Sequence, residues 1–411
     1  MLHKTTLNRF NHKKVNHRFL IYFVSCVNKG ALMMHVMNKK QIVSFGLSRR
    51  LMKGQLFENC LREIPILAKS VPLFWFFIFG VSIFLRPACA QAQEGQNLRF
   101  VFYNAENFFD PQPDQVLHYD EFTPQGSRHW TTARYRLKIQ HLFKTLIAVG
   151  EGEAPALVGF AEIENRHVLD DLIHQSPLAQ IQYNIIHFDS PDPRGIDVGC
   201  IYRPERLTVD FAQAIKVGIG HPGFRTRDIL YLKIHIKTDT LHLFINHWPS
   251  RYGGLMETIE KRKRAANVLI HFIDSITLKQ PGAMTLVMGD FNENQNDEAV
   301  QSLLQSGNKV RLIPLKPQSR YGLSDGSIKG GGQWALFDQI FVSKSLMKNS
   351  GEMRVNGKSF YIFDASFLLE KDGKNMGLKP NRTFVGFKYH GGFSDHLPIF
   401  VDLMVTKTAE P

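Results

Sequence analysis

From Gln91 onward the sequence has one cysteine, Cys200; the other three, Cys26, Cys60 and Cys89, precede it. A single cysteine cannot form an internal disulfide, which excludes a disulfide scaffold and a zinc-cysteine module. Cys200 lies in an apolar segment and is expected to behave as a small buried hydrophobe. Net charge is equally scarce there. The whole chain of 411 residues has a formal charge of +13, but residues 1–69 hold thirteen of its 50 Lys and Arg against only Glu58 and Glu63. From Gln91 onward 36 basic residues face 35 acidic ones, so the basic balance belongs to the leader and says nothing about a substrate. Long basic stretches interleaved with aromatics, the mark of reliance on phosphate-backbone affinity, are missing from the body. No internal repeat of 20 to 50 residues is present.

The leader carries one uncharged apolar run, Val71 to Leu85, with Arg62 and Lys69 before it and Ala88-Cys89-Ala90 after it. A positive flank, about 15 apolar residues and a small-x-small site form the plan of a secretory signal peptide. The run is short for a membrane span, which needs about 20 residues. Cleavage after Ala90 or Ala92 is therefore expected, with a retained membrane anchor as the alternative. Such a signal begins near its own start, and Met52 followed by Lys53 supplies one. Residues 1–90 are read as leader and residues 91–411 as a single catalytic domain.

The body is built around Thr285 to Asn294, TLVMGDFNEN. Its apolar half reads as a strand buried on both faces. The strand stops on Gly289 and presents Asp290 and Asn292, although Asp and Asn are also ordinary turn residues. The same event recurs along the chain. Leu98 to Tyr103 ends on Asn104, Ala156 to Ala161 on Glu162, and Leu241 to Asn246 on His247; Asp338 sits inside Trp334 to Val342, and Asp395 and His396 precede the closing strand LPIFVDLMV. Helices are expected over Thr131 to Val149, after Asn165 as cap, over Glu257 to Ile276 and over Glu298 to Gln305. Many strands with few intervening helices point to two packed sheets rather than one doubly wound sheet. Carboxylate, amide and imidazole groups without thiolates suit Mg²⁺.

The motifs FYNAENFFD, FAEIEN, RGIDVGCIYRP, NHWPSR, MGDFNEN, WALFDQIFVS and FSDHLP, in that order, cover nearly all of the body. In them the chain resembles the endonuclease/exonuclease/phosphatase superfamily, which contains pancreatic-type deoxyribonuclease, abasic-site endonucleases, bacterial sphingomyelinases and inositol phosphatases. The resemblance implies an α/β fold, a deoxyribonuclease-like four-layer sandwich of two mixed β-sheets packed face to face and flanked by helices. It also implies metal-dependent hydrolysis of a phosphate ester, with Mg²⁺ as the expected ion and Mn²⁺ or Ca²⁺ as alternatives. Glu162 resembles the principal metal ligand, with Asp395 close by and Asn104 assisting. Asp290 resembles the group that orients or deprotonates the attacking water, and Asn292 a contact to the nucleophile or phosphate. His396 resembles the histidine facing the phosphate, held by Asp338, while His247 stands where some members carry a general-acid histidine and others a tyrosine.

A histidine in that second role needs a carboxylate to fix its tautomer, and Asp197 of RGIDVG is the expected partner of His247, with a plain turn residue as the alternative. Arg194, Arg203 and Arg251, with Arg128, are candidate phosphate-binding cations. The expected function is that of an exported Mg²⁺-dependent phosphodiester hydrolase, a nuclease first. Alternatives are a phosphatase or phospholipase C-like enzyme acting on a small or lipid phosphate and, from a different class, an inactive binding module. Loss of the Glu or of the Asp-His pair would mark an inactive member, and both are present. The expected partner is a phosphate-ester substrate such as DNA or RNA. No stable protein partner is implied, and a membrane enters only through an uncleaved signal.

Overall fold

The computed structural model describes residues 96–113, 121–221, 223–305, 311–348 and 351–406, together with three backbone strands in the leader. The chain divides into two compact units, Met1–Cys89 and Ala90–Pro411. In the first, Leu20–Val24, Leu32–Asn38 and Gln41–Leu47 form an antiparallel three-stranded sheet. The expected signal core over Val71 to Leu85 and its cleavage site lie outside the described residues. Among the described residues, no helix is long and apolar enough to cross a membrane.

The second unit runs β1 (Gln96–Phe108), α1 (Thr132–Gly150), β2 (Leu157–Ile163), α2 (Arg166–His174), β3 (Asn184–His187), β4 (Asp197–Tyr202), β5 (Thr208–Ile215), β6 (Ile229–Ile236) and β7 (Asp239–His247). It continues with α3 (Leu255–Lys279), β8 (Met284–Asp290), α4 (Glu298–Gln305), β9 (Leu312–Pro314), β10 (Gln318–Ser319), β11 (Asp338–Ser343), β12 (Met353–Ile362) and β13 (Ile399–Val405). One sheet has seven strands in the order β10-β12-β13-β1-β2-β4-β3, the other six in the order β9-β11-β8-β7-β6-β5. Both are mixed. In the first, β1 pairs in parallel with β2; in the second, β7 with β8; most other pairings are antiparallel.

Strand periodicity divides the core. Leu243 and Ile245 of β7 and Leu286 and Met288 of β8 point into the space between the sheets, against Phe100, Phe102 and Leu157. Their neighbours Phe244 and Val287 face outward, where Ala265, Ala266, Leu269 and Ile273 of α3 and Leu303 of α4 cover them. On the far side, Leu142 and Leu146 of α1 and Leu169 and Leu172 of α2 cover the seven-stranded sheet. Four layers result. The sheets meet closely at Gly159, where an added Cβ would come within 3.0 Å of Ile245 and 3.1 Å of the Met288 methyl.

Several elements differ from the sequence expectations for identifiable reasons. The run from Trp334 to Val342 is not one strand: Gln333–Ala335 pairs with Ile328–Gly330, and β11 begins afresh at Asp338. Between them Leu336 N donates to Asn294 Oδ1 and Phe337 O accepts from Phe291 N, so the chain bends to hold the loop after β8. β5 and β12 were not anticipated, because β5 is a largely exposed edge strand and the polar β12 shifts register between Val355 and Phe360. Lys138, a charged residue of α1, is buried.

Candidate active site

The two parallel pairs end at the same edge of the sandwich, and their antiparallel partners begin there. Asn104 aligns with Ala161, His247 with Asp290, and Asp290 with Asp338. A side chain at the end of one strand therefore meets one at the start of the next.

Sharp backbone turns aim these side chains. At Gly289 the φ angle is 155°, and a Cβ there would lie 2.2 Å from Asn246 O, so the approach of β8 to β7 admits only glycine. Glu162 has φ 57°, and the ladders on both sides of it shift register between Ala161 and its partners. Glu106, Asn107 and Asn292 also lie in the left-handed region, at 51°, 55° and 51°. Each non-glycine residue of this kind costs about 1 kcal/mol or more, and such residues cluster at functional sites.

Asp290 is the centre of the group. Its Oδ1 accepts from Asn292 N at 2.8 Å and its Oδ2 from Asn104 Nδ2 at 3.1 Å. The Nε2 atoms of His396 and His247 each lie 3.7 Å from that Oδ2. Behind His396, Nδ1 meets Asp338 Oδ2 at 2.7 Å. Burial by itself lowers the pKa of His396, but Asp338 and Asp290 outweigh it and hold the ring well above the ordinary histidine value. At neutral pH His396 is an imidazolium. Asp290 is pushed up to about 6 by burial, with His396 opposing the shift and Asp338 reinforcing it.

His247 is the counterpart of opposite charge state. Burial, and then the positive charges of Arg227, Arg194 and His396, carry its pKa well below the ordinary value, so the ring is neutral. Its Nε2 is 4.0 Å from Glu162 Oε1, and its buried Nδ1 has no hydrogen-bond partner.

The expected pairing of Asp197 with His247 is not formed. Asp197 Oδ2 meets His187 Nε2 at 2.9 Å, and Asp197 Oδ1 accepts from Ser190 N and Oγ. The reason is strand alternation: Val198 and Cys200 of β4 share the face of their partners Ala161 and Gly159, toward the other sheet, so Asp197 points to the opposite face, where His187 of the edge strand β3 meets it. Arg203 is also displaced from the role expected of it. It follows the opposite end of β4, bonding Ala154 O, Glu153 and Glu205, and six residues of strand put it about 20 Å from the Asp197 end.

The other cations are near the group. Arg194 Nη2 donates to Glu162 Oε1 at 3.2 Å and to Asn107 Oδ1 at 2.8 Å. Arg251 Nε donates to Asn292 O at 2.7 Å and the guanidinium lies over Phe337, so Arg251 braces the loop of Asn292 from behind. Arg128 reaches Glu121 and the rings of Phe384 and Phe387 instead. Asn292 Nδ2 itself donates to Trp248 O at 3.0 Å.

Sequence reasoning missed a second set. Glu106 is buried and accepts from Thr383 N, Phe384 N at 3.2 Å and Arg382 Nε at 3.4 Å. Burial and then Asp395 push its pKa up to about 7. Asp395 Oδ2 accepts from Arg382 Nη2 at 2.7 Å. Arg227 bonds Asp192 at 2.9 Å and Trp248 O at 2.7 Å, tying the loop of Arg194 to the strand of His247. The spacing of Lys138 from Leu142 and Leu146 on one helical face was a usable signal.

Comparison with known proteins accords with this arrangement. Residues 99–405 match the model of the Endonuclease/Exonuclease/phosphatase family. The chain belongs to this family. Its members are phosphoesterase hydrolases that generally use a divalent metal. No curated protein matches the chain. Among solved structures, it is similar to an endonuclease/exonuclease/phosphatase family protein of Bacteroides thetaiotaomicron (14% identity, 76% of this chain and 100% of that one, TM-score 0.48). It is also similar to that organism's mannosyl-6-phosphatase (15%, 75% and 99%, 0.48) and to the human nocturnin catalytic domain with bound sulfate (15%, 75% and 95%, 0.45).

The residues fit a divalent cation of the kind the family uses. Glu162 and Asp395 offer hard carboxylate oxygens, and both act, with Glu106, on Arg382 and Lys138. Asn104 Oδ1 already accepts from Glu106 N, leaving one lone pair to contribute. The nearby trio Asp290, Asp338 and His396 also brings its ligand atoms within 4.8 Å of one another. In that trio His396 Nδ1 is already engaged by Asp338 Oδ2 at 2.7 Å.

Proposed function

We propose that the protein hydrolyses phosphodiesters, with nucleic acid as substrate class and Mg²⁺ held by Glu162 and Asp395 with help from Asn104. The observation that carries this reading is Asp290 between a charged and a neutral histidine, each 3.7 Å from its Oδ2. A carboxylate that orients and deprotonates water must stand beside a cationic group that neutralises the phosphoryl oxygens. Asp290 and His396 meet that need, and Asp338 fixes the tautomer of His396. Neutral His247, its Nε2 4.0 Å from Glu162 and 3.7 Å from Asp290, is placed to hydrogen-bond a substrate oxygen rather than to act as a carboxylate-backed acid. Asn292 contacts the nucleophile or phosphate, and Arg194 adds positive charge at Glu162. Bound at Glu162 and Asp395, Mg²⁺ would polarise the phosphoryl group as a Lewis acid.

Nucleic acid is favoured over a small phosphate by Tyr252, 94% exposed on the loop after β7, since an exposed aromatic ring offers a platform on which a base can stack. The near-neutral body favours the second reading, a phosphatase or phospholipase on a small or lipid phosphate. Hydrolysis of bis-nitrophenyl phosphate with Mg²⁺, abolished by chelator, tests the chemistry. Plasmid DNA, RNA, sphingomyelin and inositol phosphates then test the class. Turnover of inositol phosphates without turnover of DNA or RNA would replace the nuclease reading. Export is part of the proposal: the secreted protein should begin at Gln91 or Gln93 on N-terminal sequencing, and recovery in membranes with residues 71–85 retained would indicate an anchor.

A further inference from the structure

Three carboxylates, Glu106, Glu162 and Asp395, share two cations, Lys138 and Arg382. The cations are unlike. Lys138 is sealed in the core, its Nζ donating to Thr383 Oγ1 at 2.8 Å and to Phe393 O at 2.6 Å. It is a fixed countercharge. Arg382 lies on the open side of the group, its side chain 40% exposed.

The bonds of Arg382 are also unequal. Its Nη2 is 2.7 Å from Asp395, while its Nε is 3.4 Å from Glu106. Glu106 keeps Thr383 N and Phe384 N if the guanidinium leaves. Asp395, its side chain 24% exposed, keeps no direct hydrogen bond among the described residues, so departure of Arg382 opens its carboxylate to another cation. The Arg382 backbone is held in place, its carbonyl accepting from Gly392 N and the preceding Asn381 O from Phe393 N at 2.6 Å. Departure from Asp395 is therefore a rotation of the side chain alone.

We propose that Arg382 fills the cation position beside Asp395 in the metal-free protein, yields it when a divalent ion binds, and then holds the phosphoryl group of the substrate. The inference rests on the metal reading above. A guanidinium 2.7 Å from the carboxylate cannot stay beside an ion bound about 2.0–2.1 Å from the same group without strong repulsion. Once released, its planar fork matches phosphate oxygens, and its position next to Asp395 keeps it within the site.

The test is Mn²⁺ binding to the mature chain, followed by the paramagnetic signal of the free ion, in wild type, Arg382→Gln, Arg382→Lys and Asp395→Asn. Arg382→Gln should bind Mn²⁺ roughly twofold to fivefold more tightly than wild type, the value of a partly exposed ion pair removed from competition. Its KM for bis-nitrophenyl phosphate should rise. Arg382→Lys, which keeps the charge and guards against loss of fold, should fall between the two in both measurements. Equal or weaker Mn²⁺ binding in both Arg382 variants overturns the competition, and an unchanged KM overturns the phosphate contact. Wild-type affinity in Asp395→Asn would instead overturn the metal reading on which the inference stands.

Discussion

Arg262 Nε donates to Glu293 Oε1 at 2.7 Å with both side chains entirely buried. Glu293 Oε2 accepts from Ala299 N, and its carbonyl from Gln339 Nε2, so the pair ties α3, the loop after Asp290, α4 and β11 into one junction. Removing one partner leaves the other charge buried and uncompensated. Arg262→Met should cost about 3–5 kcal/mol in urea unfolding, and Arg262→Met with Glu293→Leu should recover most of it. A loss below about 1 kcal/mol in the single variant would show that the junction carries little of the stability.

Glu162→Gln should depress turnover strongly and raise the Mg²⁺ concentration needed, with the melting temperature nearly unchanged, because it removes a charge rather than core packing. Full activity of the variant at low Mg²⁺ would exclude Glu162 as the principal ligand.

The two Asp-His pairs make opposite forecasts. Asp338→Asn withdraws the partner of His396 and should reduce kcat by about 10²-fold or more, the scale of general acid-base contributions. Asp197→Asn weakens a hydrogen bond to His187 on the edge strand and should affect stability more than kcat. Equal losses of kcat in the two variants would place Asp197 in the chemistry after all.

Cys200 is fully buried, and burial pushes its thiol up to about 12. Since the thiolate is the reactive form, native protein should resist thiol reagents and react quickly once unfolded in urea. Rapid native inactivation would contradict this.

His242 supplies a pH dependence away from the site. Burial lowers its pKa, against a hydrogen bond from its Nε2 to Gln280 Oε1 that raises it. The native ring therefore holds fewer protons than the unfolded one once pH drops through about 6.5, and stability is lost as pH falls below that value. His242→Gln should lose less stability than wild type between pH 7.5 and 5.5 in urea melts.

Much of this was legible in the sequence, because the site is written into strand ends. A buried run that stops on Asn104, Glu162, His247 or Asp290 displays both the strand and its cargo, and the structure gathers these residues at one edge. Asp197 and Arg203 were misplaced because a segment carries no record of which neighbour its strand will pair with. Glu106 was missed for another reason: its partners Arg382, Thr383 and Phe384 lie more than 270 residues away, and Arg382 read alone is an ordinary surface cation.

The left-handed backbone at Glu162 has a consequence for how this protein can change. Glycine would relieve that conformation, by about 1 kcal/mol or more. A population selected only for thermal endurance would therefore drift toward glycine at the residue proposed to hold the metal. Only continued demand for the reaction keeps a carboxylate there.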